Sequence, residues 1–228
     1  MKTINESAAL KPQITQKGGI IKLVLRTLMR LDNLYYKGIS RLASIAEGGI
    51  HPKHRLTNYH EFFIHNISSE DSVLDIGCGN GFLTYEIANK ARQVTAIDID
   101  KNNLEFARMH FNRPNITFIH GDATRLRLNE RFDVIVLSNV LEHISNRRDF
   151  LLQIKKLSDR FLIRVPQLDR DWLTFYKLEM GVEYRLDPTH KIEYTMNSLR
   201  EELEQAGIRI RRASVQFGEI WAIAERFK

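Results

Sequence analysis

The chain has almost no thiol chemistry to offer. Its 228 residues hold a single cysteine, Cys78, which excludes an internal disulfide and fits a reducing cytoplasm. Cys78 has no histidine near it in sequence, so it reads as a small packing residue rather than a nucleophile. No uncharged apolar run approaches the ~20 residues that span a bilayer. Residues 1–16 are polar and lack the apolar core of a secretory signal; they read as a disordered tail. Internal repeats and low-complexity tracts are absent too, which excludes a solenoid or a fibrous chain. Acids are scarce at the front. Residues 1–56 hold ten Lys/Arg against three acids, while the whole chain carries +6. The basic character therefore belongs to an N-terminal extension, and the remainder is near neutral. A near-neutral domain with no evident basic groove disfavours nucleic acid as a partner.

What is present falls into two regions. Residues 1–50 comprise the tail and a helical extension, with the helix expected over 17–46 and broken near Gly38. On a ~100° per residue wheel, Lys22, Arg26, Arg30, Asn33, Lys37 and Arg41 share a ~100° arc. Leu23, Val24, Leu28, Leu31, Leu34, Tyr35, Ile39 and Leu42 fill much of the rest, giving a basic amphipathic helix. Gly48-Gly49 ends it and Pro52 confirms the break. A shorter helix, about 55–66, leads into residues 51–228. There, apolar β-branched runs at 73–76, 93–98, 115–119, 132–138, 160–165, 208–213 and 219–225 alternate with helical runs at 81–91, 101–111, 142–157 and 195–206. This alternation predicts a parallel sheet covered on both faces. The last two strands are joined by 214–218, too short for a crossover, and must be antiparallel. Between the fifth strand and the last helix, residues 166–194 form a long aromatic-rich insert with Trp172, Phe175, Tyr176, Tyr184 and Tyr194. Such connections are often lids or acceptor sites; a structural flap over the sheet edge is the alternative.

The strongest local signal is Val73-Leu74-Asp75-Ile76-Gly77-Cys78-Gly79-Asn80-Gly81. Glycines at alternate positions after a strand let backbone approach a nucleotide-like ligand. A dinucleotide loop needs G-x-G-x-x-G, and Phe82 stands where its third glycine belongs. The leading acid, Asp75, would repel a pyrophosphate and attract a cation. The segment resembles motif I of the class I S-adenosylmethionine (SAM) dependent methyltransferases. That resemblance covers about 70–228 well and 50–70 loosely. It implies a Rossmann-like α/β fold of seven strands in the order 3-2-1-4-5-7-6. SAM is the implied cofactor and S-adenosylhomocysteine (SAH) the product.

Ligands of open parallel sheets sit beyond the carboxyl ends of the strands. The glycine loop, Gly77, Cys78, Gly79 and Gly81, would take the amino-acid part of SAM. Asp98, 23 residues after Asp75 and followed by Ile99, is placed to accept from the ribose hydroxyls, with Asp100 capping the next helix. The resemblance assigns the adenine amino group to Asp122, beside Ala123. Any one of these acids has a bland reading as a turn or cap residue; three at successive strand ends do not. Strand 4 runs on through Asn139 to Leu141-Glu142-His143, similar to the family's L-E-H segment. Asn139 would lie along SAM through its backbone, and His143 would stand near the methyl group as a base. Asp187-Pro188-Thr189-His190 resembles the D-P-T-H segment of many small methyltransferases and makes His190 a second candidate. Thr195 looks like a helix N-cap. Either histidine could instead merely fix a loop. Some related methyltransferases present E-x-x-E-H and a distant histidine to a metal. Here Asn139 replaces the first carboxylate, so no metal is favoured, although Glu142, His143 and His190 could supply three ligands.

These features predict a SAM-dependent O-methyltransferase acting on a small or lipid-linked polar acceptor, such as a sugar hydroxyl. Metal-assisted O-methylation, a non-catalytic SAM-binding module and aminopropyl transfer are the alternatives. The basic helix would cap the cleft, lie on an anionic membrane, at the inner surface of the cell membrane, or pack on a second copy of the chain.

Overall fold

Each central strand divides its side chains between two cores, as a period of two requires. In the computed structural model, which describes residues 16–49, 51–125 and 128–227, β1 (Ser72–Ile76) sends Val73 to one face and Leu74 and Ile76 to the other. Likewise β4 (Val134–Ser138) splits Val134 and Val136 from Ile135 and Leu137, and β5 (Arg160–Pro166) splits Leu162 from Phe161 and Ile163. The remaining strands are β2 (Gln93–Asp98), β3 (Ile116–His120), β6 (Ile208–Gln216) and β7 (Glu219–Arg226). Together they form one sheet in the order β3-β2-β1-β4-β5-β7-β6, as expected. β1 to β5 are parallel, and β7 runs antiparallel between β5 and β6. The β6–β7 hairpin turns at Phe217 and Gly218, both at positive φ (52° and 74°), which matches the twist of a two-residue turn.

Helices cover both faces. α3 (Tyr59–His65) and α4 (Phe82–Ala88) bring Tyr59, Phe63, Leu83 and Ile87 to one core. α6 (Arg147–Ile154) and α8 (Met196–Gln205) bring Phe150, Leu151, Ile154, Leu199 and Leu203 to the other. Truncating a fully buried anchor such as Phe63 or Phe161 to alanine should cost about 3–5 kcal/mol. Two expected caps are observed. Asp100 accepts from the backbone of Asn102 at the start of α5 (Lys101–His110), and Thr195 forms a capping box with Ser198.

Four sequence expectations are corrected in detail. α1 (Gln16–Ala46) runs unbroken through Gly38, which faces open space; one glycine costs a helix only ~1 kcal/mol. Gly48 and Gly49 do end it, at φ 71° and 99°. The helix expected over 55–66 is two, α2 (Lys53–Thr57) and α3, because Asn58 takes a left-handed conformation between them. The helical run at 142–157 begins instead as a 3₁₀ turn, Leu141–His143, before α6. The 166–194 insert is not one long loop. It contains α7 (Trp172–Glu179), capped by Asp171, and is pinched at its base by a bridge between Gln167 and Tyr194. The expected tail lies outside the described residues, except Gln16, which opens α1.

α1 docks on the insert by a narrow strip. Met29 is buried against Met180 and Val182, flanked by Leu25, Leu173 and Tyr176. Around this contact Arg26 Nε donates to the Met180 carbonyl (3.0 Å), Asn33 donates to the Glu183 carbonyl (2.7 Å), and Lys177 pairs with Asp32. Lys177 also donates to Asn33 Oδ1 (2.7 Å).

Candidate active site

The carboxyl ends of β1, β2, β3 and β4 bring the sequence-predicted groups to one cleft. After β1 the chain turns through Gly77, Gly79 and Gly81, all at positive φ. Two of these glycines are required by close approach. A Cβ on Gly77 would lie 2.8 Å from Val140, and one on Gly81 would lie 2.7 Å from the Ala107 side chain. Gly81 thus lets α4 start against α5, while Gly77 lets the loop pass under the segment after β4. The Gly77 and Cys78 amides are tied to the Ile97 carbonyl at the end of β2.

The acids hold this loop as well as facing the cleft. Asp98 accepts from the Gly79 amide (2.7 Å) and from the Asp100 amide (2.8 Å). Asp122 accepts from the Thr124 amide and hydroxyl (2.9 and 2.6 Å), which hold its carboxyl below the usual range. Asp75 is buried and takes the Thr84 hydroxyl at 2.6 Å. Burial pushes its carboxyl up to about 7, against the pull of that bond, and the charge of Asp98 adds to the rise. Burial also pushes the Cys78 thiol up, so it holds no thiolate and serves packing.

Two cavities meet at this loop. The larger, of about 710 Å³, is lined by Asp98, Ile99, Asp122, Ala123, Val140 and His143. The smaller, of about 220 Å³, is lined by Asp75, Cys78, Gly79, Lys53, His54 and Arg164. Gly77 and Asn139 line both. Asn139 sits at φ 56°, an excursion that asparagine tolerates better than most residues. Its buried Oδ1 has no hydrogen-bond partner among the described residues.

Lys53, His54, Tyr59 and Arg164 are the site residues that sequence reading missed. Arg164, on β5, is forked onto Glu219 (2.8 and 3.0 Å) and lies 3.6 Å over the Tyr59 ring. Tyr59 in turn bonds His54 at 2.8 Å. Burial, then the charge of Lys53, lowers His54 to about 4, so it is neutral at pH 7. An arginine inside an apolar strand run was the available signal, since a buried guanidinium needs charged or hydrogen-bonded partners, here Glu219 and Ser138 on the two neighbouring strands.

His143 and His190, 47 residues apart in sequence, are brought edge to face with ring centroids 4.8 Å apart. His143 is exposed on the 3₁₀ turn, and its Nδ1 lies 3.1 Å from the Thr189 hydroxyl. That hydroxyl donates to Asp187 (2.7 Å), so it accepts from His143 Nδ1–H. The Nε2 lone pair of His143 is thereby left free. Partial burial, then the charge of His190, holds its pKa below the ordinary imidazole value. His190 is buried, with Nδ1 3.2 Å from Glu193. Burial opposes the charge on Glu193, but bonds from His190, the Leu186 amide and Arg170 outweigh it and lower the carboxyl. Glu142 is fully buried, and neither carboxylate oxygen has a partner among the described residues. Burial pushes it up to about 8. One ligand atom each from Glu142, His143 and His190 lies within 4.8 Å of the others.

Fold, loop and cleft define a class, and the family comparison agrees. Residues 73–158 match the family described as "Methyltransferase domain", and that stretch carries the features of the class I SAM-dependent methyltransferases. Among curated relatives, it is 35% identical over 94 residues to the mitochondrial ubiquinone biosynthesis O-methyltransferase of Schizosaccharomyces pombe, covering 39% of this chain and 34% of that one. It is 31% identical over 117 residues to the ubiquinone biosynthesis O-methyltransferase of Bradyrhizobium diazoefficiens, covering 50% and 46%. These matches thus span about a third to a half of the relatives' length. Solved structures share the fold. The N-methyltransferase NodS of Bradyrhizobium japonicum, in complex with SAH, superimposes with a TM-score of 0.59 at 15% identity, covering 77% of this chain and 87% of that one. A DhpI–SAH complex gives 0.62 at 16% identity, covering 87% and 97%.

Proposed function

We propose that this chain transfers the methyl group of SAM to an oxygen of a small or lipid-linked polar acceptor. The observation that carries the reading is the pair of cavities meeting at Gly77 and Asn139. The larger, with Asp98 and Asp122, suits an adenosine. The smaller, with Asp75 and the cations Lys53 and Arg164, suits an amino-acid end bearing both an ammonium and a carboxylate. A ligand bridging the two would pass Gly77 and Asn139, which line both cavities, and His143 lines the larger. The similarity to ubiquinone biosynthesis O-methyltransferases supports oxygen as the methylated atom.

In the proposed reaction the acceptor oxygen attacks the methyl carbon in line with the C–S bond. As the O–C bond forms, the C–S bond breaks and its electron pair returns to sulfur, leaving neutral SAH. The acceptor's proton passes to His143 Nε2. Asp187 and Thr189 position this base by fixing its tautomer, and His190 is too buried to meet an acceptor. The sulfonium is already an activated donor, so alignment supplies much of the acceleration. The direct test is calorimetry with SAH, followed by a labelled-methyl screen of cell-extract fractions for the acceptor. Absence of SAH binding would sink the reading.

A second reading is favoured by the unpartnered carboxylate of Glu142. A buried carboxylate must be protonated or paired with a cation. Glu142, His143 and His190 fit a divalent ion, which would orient and acidify an acceptor hydroxyl when bound. Thermal melts with and without manganese or zinc test it. A metal-dependent rise in Tm that Glu142→Gln abolishes supports this reading; unchanged melts reject it.

A further inference from the structure

The outward face of α1 is the largest unexplained feature of the molecule. Only a narrow strip of this 31-residue helix, centred on Met29, touches the insert. Opposite it stand Ile20, Leu23, Val24, Leu28, Leu31, Leu34, all exposed, and the face continues through Tyr35, Ile39, Leu42 and Ile45; Leu34 and Leu42 are 65% and 67% accessible. On a helical wheel these residues fill an arc of roughly 160°. Among the described residues nothing covers this face. An apolar strip of this length on a soluble surface marks an interaction site.

The flank of the same helix says what it meets. Lys22, Arg30, Lys37 and Arg41 lie along one edge of the apolar arc, with Arg26 beside them held by the Met180 carbonyl. The one acid of α1, Asp32, lies toward the insert and is paired with Lys177. A second copy of this face would therefore bring no carboxylate to offset the cations. A surface of anionic lipid offers both an apolar interior for the leucines and negative charge for the flank. Among the described residues no helix is long and apolar enough to cross a membrane, so the contact is lateral.

We propose that α1 lies along an anionic membrane surface, with its leucine face in the acyl boundary and its basic edge at the headgroups. The contact reaches the cleft by a short route. Ser40 Oγ is bonded to His51 Nε2 at 2.9 Å, and Lys53 and His54 line the smaller cavity just beyond. Docking by α1 therefore places the cleft close to the membrane. The inference stands apart from methyl transfer, because it rests on α1 alone.

The test is flotation of the full chain with phosphatidylcholine vesicles, with and without phosphatidylglycerol. Binding should require phosphatidylglycerol and weaken as salt is raised. Leu34→Glu with Leu42→Glu should cut partitioning about a hundredfold or more. Arg30→Gln and Lys37→Gln should each weaken it about fivefold. All four residues are exposed, so circular dichroism and SAH affinity should match the parent chain. Equal flotation of the double glutamate variant, or no flotation of the parent, overturns the proposal. So does light scattering that shows a dimer which the glutamates dissociate while vesicles are ignored. Loss of SAH binding with flotation intact would remove the donor reading and leave this one standing.

Discussion

On the proposed donor side of the cleft, the groups lie between Asp75 and Asn139, in the last residues of β1 and β2 or in the turns that follow β1, β3 and β4. On the proposed acceptor side, three stretches distant in sequence are joined through the insert: the 3₁₀ turn with His143, the insert itself with Asp187, Thr189 and His190, and α1 with its linker. The donor side is stitched by backbone, with amides of the glycine loop bonded to Asp98 and Ile97. The acceptor side is stitched mainly by side chains, through Thr189 to His143 and Lys177 to Asp32, with one backbone bond from the Lys191 amide to the Glu142 carbonyl (2.6 Å). A ligand shared by a whole family needs a fixed backbone cradle, while an acceptor is specified by side chains that change at little cost to the fold.

The sharpest way to break this division is at His143. His143→Ala should lower kcat by about a hundredfold or more and leave SAH affinity unchanged, because only the acceptor side is touched. Thr189→Val should lower kcat about tenfold by releasing the tautomer, and should displace the acid limb of the pH profile. In the parent enzyme that limb should fall below the usual imidazole range, since burial favours the neutral base. Equal turnover by His143→Ala would reassign the proton to water or to a metal.

The donor side is tested in the opposite sense. Asp98→Ala should raise the SAH dissociation constant about 10- to 100-fold by calorimetry, since it removes charge-assisted bonds to the ribose and frees the Gly79 amide. Its effect on kcat at saturating SAM should be small by comparison. Unchanged affinity would mean that the nucleoside lies elsewhere.

Asp75 sharpens the comparison through pH. Its native pKa is raised above the ordinary value of 3.8 to about 7, so the native state holds a proton that the unfolded chain releases. Stability from this group is present at low pH and lost as pH climbs from about 4 to 7. A cationic ligand reverses the bias by favouring the carboxylate. SAH affinity should therefore rise about tenfold between pH 6 and pH 8. Asp75→Asn should flatten both trends, as read by calorimetry and urea melts at each pH.

The same division explains what was legible in the sequence. The strand runs, the glycine loop and Asp98 follow from local patterns whose geometry the strand–turn–helix unit dictates, while the strand order and the role of Asp122 come from the family resemblance. The pairing of His143 with His190 depends on how the insert folds against the 3₁₀ turn after β4, and no local pattern encodes that. The wheel of α1 showed which side is apolar but not which side docks. Met29, Arg26 and Asn33 dock on a partner that lies some 150 residues further on, at Met180 and Glu183. The break expected at Gly38 failed because propensity is a weak signal beside a long continuous helix.

Lys53 is where the two sides touch, and it gives the smallest of these effects. It belongs to the linker that carries α1, yet it lines the donor's smaller cavity beside Arg164. Arg164 is already committed to Glu219 and Tyr59, so Lys53 is the cation free to meet a ligand carboxylate. An exposed ion pair of this kind contributes about 1 kcal/mol at most. Lys53→Ala should therefore weaken SAH binding no more than about fivefold, and the difference should shrink as salt screens the pair. Decarboxylated SAM should bind the variant and the parent alike. A loss that is the same for both ligands would place Lys53 in the loop's architecture and return the linker wholly to the acceptor side.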